Sequence, residues 1–363
     1  MSSTLNNQNA PPVSEGNGVP SHDENRAGSR ARPVNGPTEP TEPFKPRRFL
    51  HNGHLQTLAG NFLPRKNGLP APEDRLIEVE PGIRVLCHCH WQPQRQTRAT
   101  VVIVHGLEGS SDSQYVIGNG SKAWAVGMNV VRMNMRTCGG TDHLAHTLYH
   151  SGLSNDVAVV IRHLIEQEKL SRIGAIGYSM GGNLVLKMAG EWAASAPAEM
   201  KAVAVVSPAS DLAVSADALH EPLNRLYELR FLRNLMKRYR NKIALFPEIY
   251  KPASRSPRSL REFDDIITAP YSGFADAQDY YDRAAAARVV DKIAFPALVI
   301  HSTDDPFVRM TPETRARFLA NPQVTLFESA HGGHCAFLAE PNGYDGRWAE
   351  RQIVEFLLRN GMA

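Results

Sequence analysis

The chain alternates short runs of apolar residues with longer segments in which apolar residues recur at helical spacing. The runs are rich in β-branched residues, as is typical of central strands that are covered on both faces. Strands are predicted at 99–106, 129–136, 173–178, 202–207, 297–301 and 324–328. Helices are predicted between them, among them 154–169 and an amphipathic segment at 347–359. This alternation predicts an α/β fold with a mostly parallel, doubly wound sheet.

The N-terminal part of the chain does not follow this pattern. Residues 1–45 are rich in Asn, Ser, Gly, Pro, Glu and Thr and contain almost no large apolar side chains. Such a segment cannot bury enough apolar surface to offset its ordering entropy, so we predict a disordered tail, either passive or regulatory. The composition changes at residue 46. We predict one folded domain over 46–363, which opens with a lead-in segment at 49–58.

A β-hairpin around a Pro-Gly turn is predicted over 75–91. Its second strand carries Cys-His-Cys-His at 87–90, residue types that bind zinc. Because alternate residues of a strand face opposite sides, the two cysteines would point one way and the two histidines the other. Four such side chains would not converge on one tetrahedral ion, so we expect no metal here.

Composition narrows the class of protein. A chain of 363 residues is long enough for a sizeable core, and a hydrophobic content of 42% is ordinary for a globular protein. The formal charge of +3 gives no reason to expect nucleic acid as a partner. The sequence contains no apolar run long enough to span a bilayer and does not begin like a signal peptide. Four cysteines suggest reduced thiols and hence a cytoplasmic location.

The strand predicted at 173–178 leads through Gly-x-Ser-x-Gly, centred on Ser179, into a helix-favouring segment. Strand, sharp turn and helix in this order are the context of a nucleophile elbow. Gly177 and Gly181 would let the backbone turn tightly, and Ser179 would be held where its hydroxyl is exposed. The five-residue pattern is only moderately specific by itself, so its chemical partners have to lie elsewhere in the chain.

A serine hydroxyl becomes a good nucleophile when an imidazole accepts its proton and a carboxylate orients that imidazole. In enzymes with such an elbow, the acid and then the histidine follow the serine along the chain. The acid candidates are Asp304 and Asp305, and Asp305 is preferred because Asp-Pro-x-Val is how that loop usually presents its carboxylate in this fold. The base candidates are His331 and His334, and His334 is preferred because two glycines before it let the loop fold back toward the serine.

Hydrolysis at a carbonyl also needs donors for the negative oxygen of the tetrahedral intermediate. We expect one from the backbone N–H of Met180 and the second from the N–H of Leu107, in the His-Gly-Leu-Glu-Gly segment that begins at His105. The alternative for that segment is a plain turn. His105 is expected to shape the loop rather than to transfer protons. The sequence contains no phosphate loop or dinucleotide fingerprint, so no cofactor is expected.

The alternation of strands and helices stops between about residues 208 and 288. Residues 219–243 are predicted to be helical and carry many basic side chains. Because the insertion follows the strand next to the elbow strand, we predict that it forms a helical lid over the pocket. Its basic face would suit anionic lipid headgroups or serve only as the solvated surface of the lid, so peripheral membrane contact stays open.

The chain from about Phe49 to its end resembles the YheT-like α/β-hydrolases, an ABHD-type group that includes lipid esterases. The resemblance rests on the motifs at 52–57, 105–111, 148–152, 177–182, 304–307 and 331–337. It implies an α/β-hydrolase fold and carboxylic-ester hydrolysis by Ser179, an Asp of the 304–305 pair and His334. Members act on short- to medium-chain esters and some relatives on glycerolipids. A loop that is commonly of Arg-Gly-Cys-Gly type reads Arg-Thr-Cys-Gly-Gly at 136–140 here, a change that bears on pocket shape.

These residues together predict a serine hydrolase that cleaves a small-molecule ester or lipid through an acyl-enzyme. A thioesterase, an amidase or a haloperoxidase-like enzyme would use the same residues, and substrate profiling would separate them. A non-catalytic lipid- or protein-binding module on the same fold is a further alternative. The sequence indicates neither the acyl-chain length, nor the leaving group, nor the oligomeric state.

Overall fold

The computed structural model describes residues 42–363, and within them eight strands form one sheet. The strands are β1 (Glu73–Glu80), β2 (Ile83–His90), β3 (Thr100–Val104), β4 (Asn129–Met133), β5 (Ile173–Tyr178), β6 (Met200–Val206), β7 (Ala297–Ser302) and β8 (Val324–Ser329). Their order across the sheet is β1-β2-β4-β3-β5-β6-β7-β8. Strand β2 runs in the direction opposite to the other seven strands, so the mostly parallel sheet predicted from the sequence is confirmed.

Helices cover both faces of the sheet. They are α1 (Gly53–Phe62), α2 (Gln114–Ala125), α3 (Ser154–Glu166), α4 (Met180–Trp192), α5 (Leu212–Leu219), α6 (Arg225–Leu245), α7 (Leu260–Phe263), α8 (Ala269–Ser272), α9 (Ala277–Ala284), α10 (Pro312–Ala320) and α11 (Trp348–Leu357). Helices α5 to α9 lie between β6 and β7 and form the predicted insertion. No helix within residues 42–363 is long and apolar enough to cross a membrane.

The central strands are buried on both faces because their side chains alternate between two cores. Val102 and Val104 of β3 pack into one core with α3, α4 and the insertion. Val101 and Ile103 pack into the other with α2 and α11. Every residue of β3, β4 and β5 is buried, which explains why apolar residues predominate in these strands.

Several predicted elements differ from the structure at their ends. The strand predicted at 129–136 ends at Met133, and the helix predicted at 154–169 ends at Glu166. The lead-in segment at 49–58 contains helix α1, which the sequence did not predict. The side chain of Asn52 caps this helix and accepts hydrogen bonds from the N–H groups of His54 and Leu55.

The disordered tail predicted over 1–45 lies almost entirely outside the described residues. Its last residues, however, belong to the folded domain. Phe44 is buried, with its ring centroid 5.3 Å from that of Phe337 and 5.6 Å from that of Trp348. The indole N–H of Trp348 also donates to the carbonyl of Glu42. Because a buried phenylalanine contributes about 1.5–3 kcal/mol, this contact ties the segment to the domain two residues before the predicted boundary.

Candidate active site

Ser179 lies in the turn between β5 and α4 with φ 54° and ψ −119°. Such a conformation costs a non-glycine residue about 1–3 kcal/mol and persists only where the surroundings enforce it. Here the N–H of Ser179 donates to the carbonyl of Val206, and its own carbonyl accepts from the N–H groups of Asn183 and Ala209. Strand β6, the loop after it and helix α4 therefore hold the serine in the strained geometry of an elbow.

The two glycines of this turn are required by close packing. A Cβ at Gly177 would lie 2.6 Å from the Cα of Gly182, and a Cβ at Gly181 would lie 2.8 Å from the carbonyl carbon of Val104. Neither group can move aside, because both belong to the backbone of neighbouring elements. The spacing Gly-x-Ser-x-Gly thus follows from how tightly α4 packs against β5 and β3.

Asp305 and His334 lie in the loops that follow β7 and β8, and the structure joins them directly. His334 Nδ1 is 2.8 Å from Asp305 Oδ2. The other carboxylate oxygen, Oδ1, accepts hydrogen bonds from the N–H groups of Phe307 (3.1 Å) and Val308 (2.9 Å). Asp305 is only 1% exposed, so it is a buried carboxylate whose orientation is fixed by its own loop.

The charges of this pair stabilise each other. Burial acts to raise the pKa of Asp305, but the charge of His334 and the bond to it outweigh that effect, so the pKa lies below its ordinary value. Burial acts to lower the pKa of His334, and the Asp305 carboxylate outweighs it and raises that pKa above its ordinary value. Asp305 therefore stays ionised and supports a positive charge on the imidazole.

The other two candidates take different positions. Asp304 Oδ1 accepts a hydrogen bond from the N–H of Gly333 (2.9 Å) and thereby holds the histidine loop. The nearest ring nitrogen of His331 is 3.6 Å from Asp304 Oδ2, and the His331 side chain is 41% exposed. Of the four candidates, the structure places only Asp305 and His334 in a buried hydrogen bond.

Helix α1 fixes the loop that carries His334, a role that the sequence did not reveal. The Thr57 hydroxyl accepts the N–H of His334 (2.8 Å) and donates to the carbonyl of Gly53 (2.7 Å). The fully buried side chain of Gln56 bonds both the N–H and the carbonyl of Leu338. In the sequence, the motif at 52–57 indicates only a family resemblance. Its contacts join residues about 280 positions apart, and such contacts leave no local pattern.

The loop after β3 contacts the serine. A Cβ at Gly106 would lie 3.0 Å from the Cβ of Ser179, so a side chain at this position would crowd the serine. His105 is fully buried, and burial lowers its pKa to about 4. Its neutral ring accepts the N–H of Met135 at Nε2 and donates from Nδ1 to the carbonyl of Gly106. His105 therefore fixes the backbone of the loop, as predicted.

Glu108, in the same loop, is tied to the insertion. Its backbone has φ 55°, and its N–H donates to the hydroxyl of Tyr149 (3.0 Å), which donates in turn to Glu108 Oε1 (2.6 Å). Arg238 of α6 contacts both carboxylate oxygens, at 3.1 and 3.3 Å, and also donates to the carbonyl of Thr137. These buried partners hold the residue next to Leu107, and none of them was identified from the sequence.

Ser179 opens into a cavity whose wall is mostly apolar. The loop after β3 and the start of α4 contribute Leu107 and Met180. Most of the remaining wall comes from the insertion: Leu212, Ala216, Leu219, Phe231, Leu235, Arg238, Leu260, Phe263, Asp264, Thr268, Tyr280 and Tyr281. Phe307 also lines the cavity and packs against the ring of His334, with centroids 4.4 Å apart.

One carboxylate lies in the wall of the cavity. Asp264 accepts hydrogen bonds from the hydroxyls of Thr268 (2.7 Å) and Tyr281 (2.7 Å). Burial raises its pKa to about 6. The wall is thus mostly apolar, and its charged groups, Asp264 and Arg238, already have partners within the protein. Such a wall suits an aliphatic chain better than an anionic group.

This strand order, an elbow serine after β5 and a buried Asp–His pair after β7 and β8 define an α/β-hydrolase. Residues 99–341 match the family model described as alpha/beta hydrolase fold, and the chain belongs to that family. Within it the chain belongs to the YheT-like group, since the YheT protein of Escherichia coli strain K12 is 33% identical over 319 residues, covering 86% of this chain and 92% of that protein. The resemblance drawn from the motifs is confirmed.

Two further similarities extend this assignment. Phospholipase ABHD3 of Mus musculus is 28% identical over 340 residues, which cover 88% of this chain and 80% of that protein. The esterase Pf2001 of Pyrococcus furiosus superposes with a TM-score of 0.52 at 18% identity over 82% of this chain and 98% of its own, which shows a shared fold. The family and these relatives support a hydrolase activity.

Proposed function

We propose that this protein is a serine hydrolase that cleaves carboxylic esters through an acyl-enzyme. The observation that carries the proposal is the buried hydrogen bond between Asp305 and His334. Phe307, which packs on His334, lines the same cavity as the elbow serine. Ser179 is the nucleophile and His334 the general base. Asp305 orients the imidazole and stabilises its protonated form. The N–H groups of Leu107 and Met180 are the donors for the oxyanion.

The reaction follows from these roles. His334 takes the proton of the Ser179 hydroxyl while the Ser179 oxygen attacks the carbonyl carbon of the ester. The π electrons of the carbonyl move onto its oxygen, which the two N–H groups bind. When the tetrahedral intermediate collapses, the bond to the alcohol breaks and His334 returns the proton to that alcohol. Water then attacks the carbonyl of the acyl-enzyme while His334 takes one of its protons. The bond between the acyl group and the Ser179 oxygen breaks, His334 returns the proton to that oxygen, and the carboxylic acid is released. The reaction uses only protein groups and water.

The acyl group is proposed to occupy the apolar cavity, with short- to medium-chain esters as substrates and glycerolipids as a candidate class. Esters of p-nitrophenol of increasing chain length are expected to show kcat/KM rising up to a medium chain, because each buried CH₂ contributes about 0.8 kcal/mol, or about fourfold. Leu235→Trp, which narrows the cavity, is expected to move the optimum to shorter chains. Thioesters and anilides of the best acyl group complete the panel, and faster cleavage of either would replace the ester assignment.

The contact between Arg238 and Glu108 yields a second expectation. Arg238→Gln leaves Glu108 buried without its cation, which costs about 3–5 kcal/mol and loosens the loop that presents Leu107. We expect kcat for a p-nitrophenyl ester to fall about ten- to a hundredfold, because a displaced N–H of Leu107 would stabilise the oxyanion less well. Arg240→Gln, an exposed position on the same helix, is the matched control. An unchanged kcat in a folded Arg238 variant would show that the loop does not depend on this contact.

A further inference from the structure

Two helices near the site expose large apolar side chains in contiguous rows. On α1 the exposed residues are Leu55, Leu58 and Phe62, the last 70% exposed. On α6 and the turn before it they are Leu223 and Leu226, each 81% exposed, and Leu229. Single exposed apolar residues are ordinary, but successive ones at helical spacing on one face mark an interaction surface. We refer to these six residues as the apolar rim.

The helices that carry the two rows contact each other near the candidate base. The rings of His54 on α1 and Tyr227 on α6 stack with centroids 5.8 Å apart, and His54 Nδ1 is 3.3 Å from the Tyr227 hydroxyl. Leu55 and Leu226 are the chain neighbours of these residues. Tyr227 packs on Phe307 at 5.3 Å, and Phe307 packs on His334 at 4.4 Å. Helix α6, which carries part of the apolar rim, is therefore linked to the imidazole through the rings of Tyr227 and Phe307.

The exposed face of α6 continues from the apolar rim as a row of cations. Arg230, Arg233, Lys237 and Arg240 are all exposed, and within residues 42–363 none of them forms an ion pair. The acid of this helix, Glu228, is buried and bonded to Arg225. Leucines followed by unpaired cations on one helix face are complementary to a surface with an apolar interior and anionic headgroups.

We propose that the apolar rim and the basic face of α6 dock this protein on the surface of an anionic phospholipid bilayer. The leucines insert at the boundary between headgroups and acyl chains, and the four cations contact the phosphates. Because the rim adjoins the candidate active site, docking holds that site at the lipid surface. The proposal concerns binding and does not depend on Ser179, so it stands or falls separately from the proposed function.

Co-sedimentation of the full chain with vesicles tests this docking surface. The vesicles are phosphatidylcholine alone and phosphatidylcholine mixed with phosphatidylglycerol. Leu223→Ser combined with Leu226→Ser is expected to lower partitioning at least about tenfold on both, since two apolar anchors are lost. Arg230→Gln combined with Arg233→Gln is expected to lower it by a similar factor only where phosphatidylglycerol is present. Hydrolysis of water-soluble p-nitrophenyl acetate should be unchanged in both variants.

Matched controls lie elsewhere on the surface. Leu76→Ser with Leu319→Ser removes apolar side chains that are about half exposed on β1 and α10, and Arg84→Gln with Arg359→Gln removes two exposed cations. These variants should sediment like the wild type. The proposal is overturned if the wild-type chain binds neither vesicle or if the control variants lose as much binding as the test variants. It is also overturned if light scattering shows a dimer that Leu223→Ser with Leu226→Ser dissociates while vesicle binding is absent.

Discussion

Replacing Ser179 with alanine is expected to lower kcat for p-nitrophenyl butyrate by about a millionfold, because the nucleophile and its base act as one unit. The change removes only the hydroxyl oxygen, and alanine inherits the same positive φ, so the fold should be retained. Initial rates measured beside thermal unfolding curves check both parts of this expectation. A fluorophosphonate probe should label the wild-type chain at Ser179 and leave the variant unlabelled.

Ser215→Ala is the matched control, since this serine also lines the cavity but lies on α5 and bonds the backbone N–H of Arg309. Its activity should stay within about tenfold of wild type, as the loss of one hydrogen bond worth about 1 kcal/mol would predict. Retention of most of the activity in Ser179→Ala would contradict the nucleophile assignment. An active-site probe that labels no serine at all would favour a non-catalytic binding module.

The fold could be predicted from the sequence because its central strands carry their own signal. The segments at 100–104 and 173–178 are largely apolar, since both faces are covered, and such runs can be recognised without knowing their neighbours. The ends of strands and helices are harder to predict, because they depend on local turns. The strand from Asn129 was extended to residue 136, yet the chain turns after Met133. Helix α1 was missed because its few buried positions give only a weak apolar stripe.

The candidate site contains residues that can be predicted from the chemistry of the reaction and others that are found only from contacts in the folded structure. A serine between two glycines, and an aspartate and a histidine after the last strands, are recognisable because the reaction requires those types in that order. The residues that hold these side chains in place cannot be recognised in this way. Thr57 bonds the loop of His334 across 277 positions, and Arg238 bonds Glu108 across 130. Polar groups of these kinds are common on any surface, and nothing local in the sequence distinguishes them.

The insertion contributes to the site in more than one way. Its helices form most of the cavity wall, and Arg238 of α6 reaches back to the loop that carries Leu107. The same helix exposes leucines and cations on its outer face. A substitution on α6 can therefore alter substrate fit, loop geometry or surface binding, depending on which face it changes. This is why exposed and buried positions of one helix serve as controls for each other.

Asp305→Asn is expected to lower kcat/KM for p-nitrophenyl butyrate by about 10⁴ near neutral pH, since an amide can hold the imidazole in the wrong tautomer and cannot stabilise its charge. The pH profile should change as well. In the wild type the Asp305 carboxylate raises the pKa of His334, so activity is lost as the pH falls through a value above the ordinary one for histidine. Without that carboxylate, burial dominates and lowers the pKa of His334. The acidic limb of the profile should then move to lower pH, at a lower plateau.

Asp304→Asn is the comparison that decides between the two acids. The oxygen of an asparagine can still accept the hydrogen bond from the N–H of Gly333, so this variant should keep its activity within about tenfold and its acidic limb in place. Activity and pH profiles measured side by side therefore distinguish a residue that stabilises the protonated base from one that only holds the loop of the base. If Asp304→Asn lost the activity and shifted the limb while Asp305→Asn did not, the acid would be Asp304, and the buried bond between Asp305 and His334 would be structural.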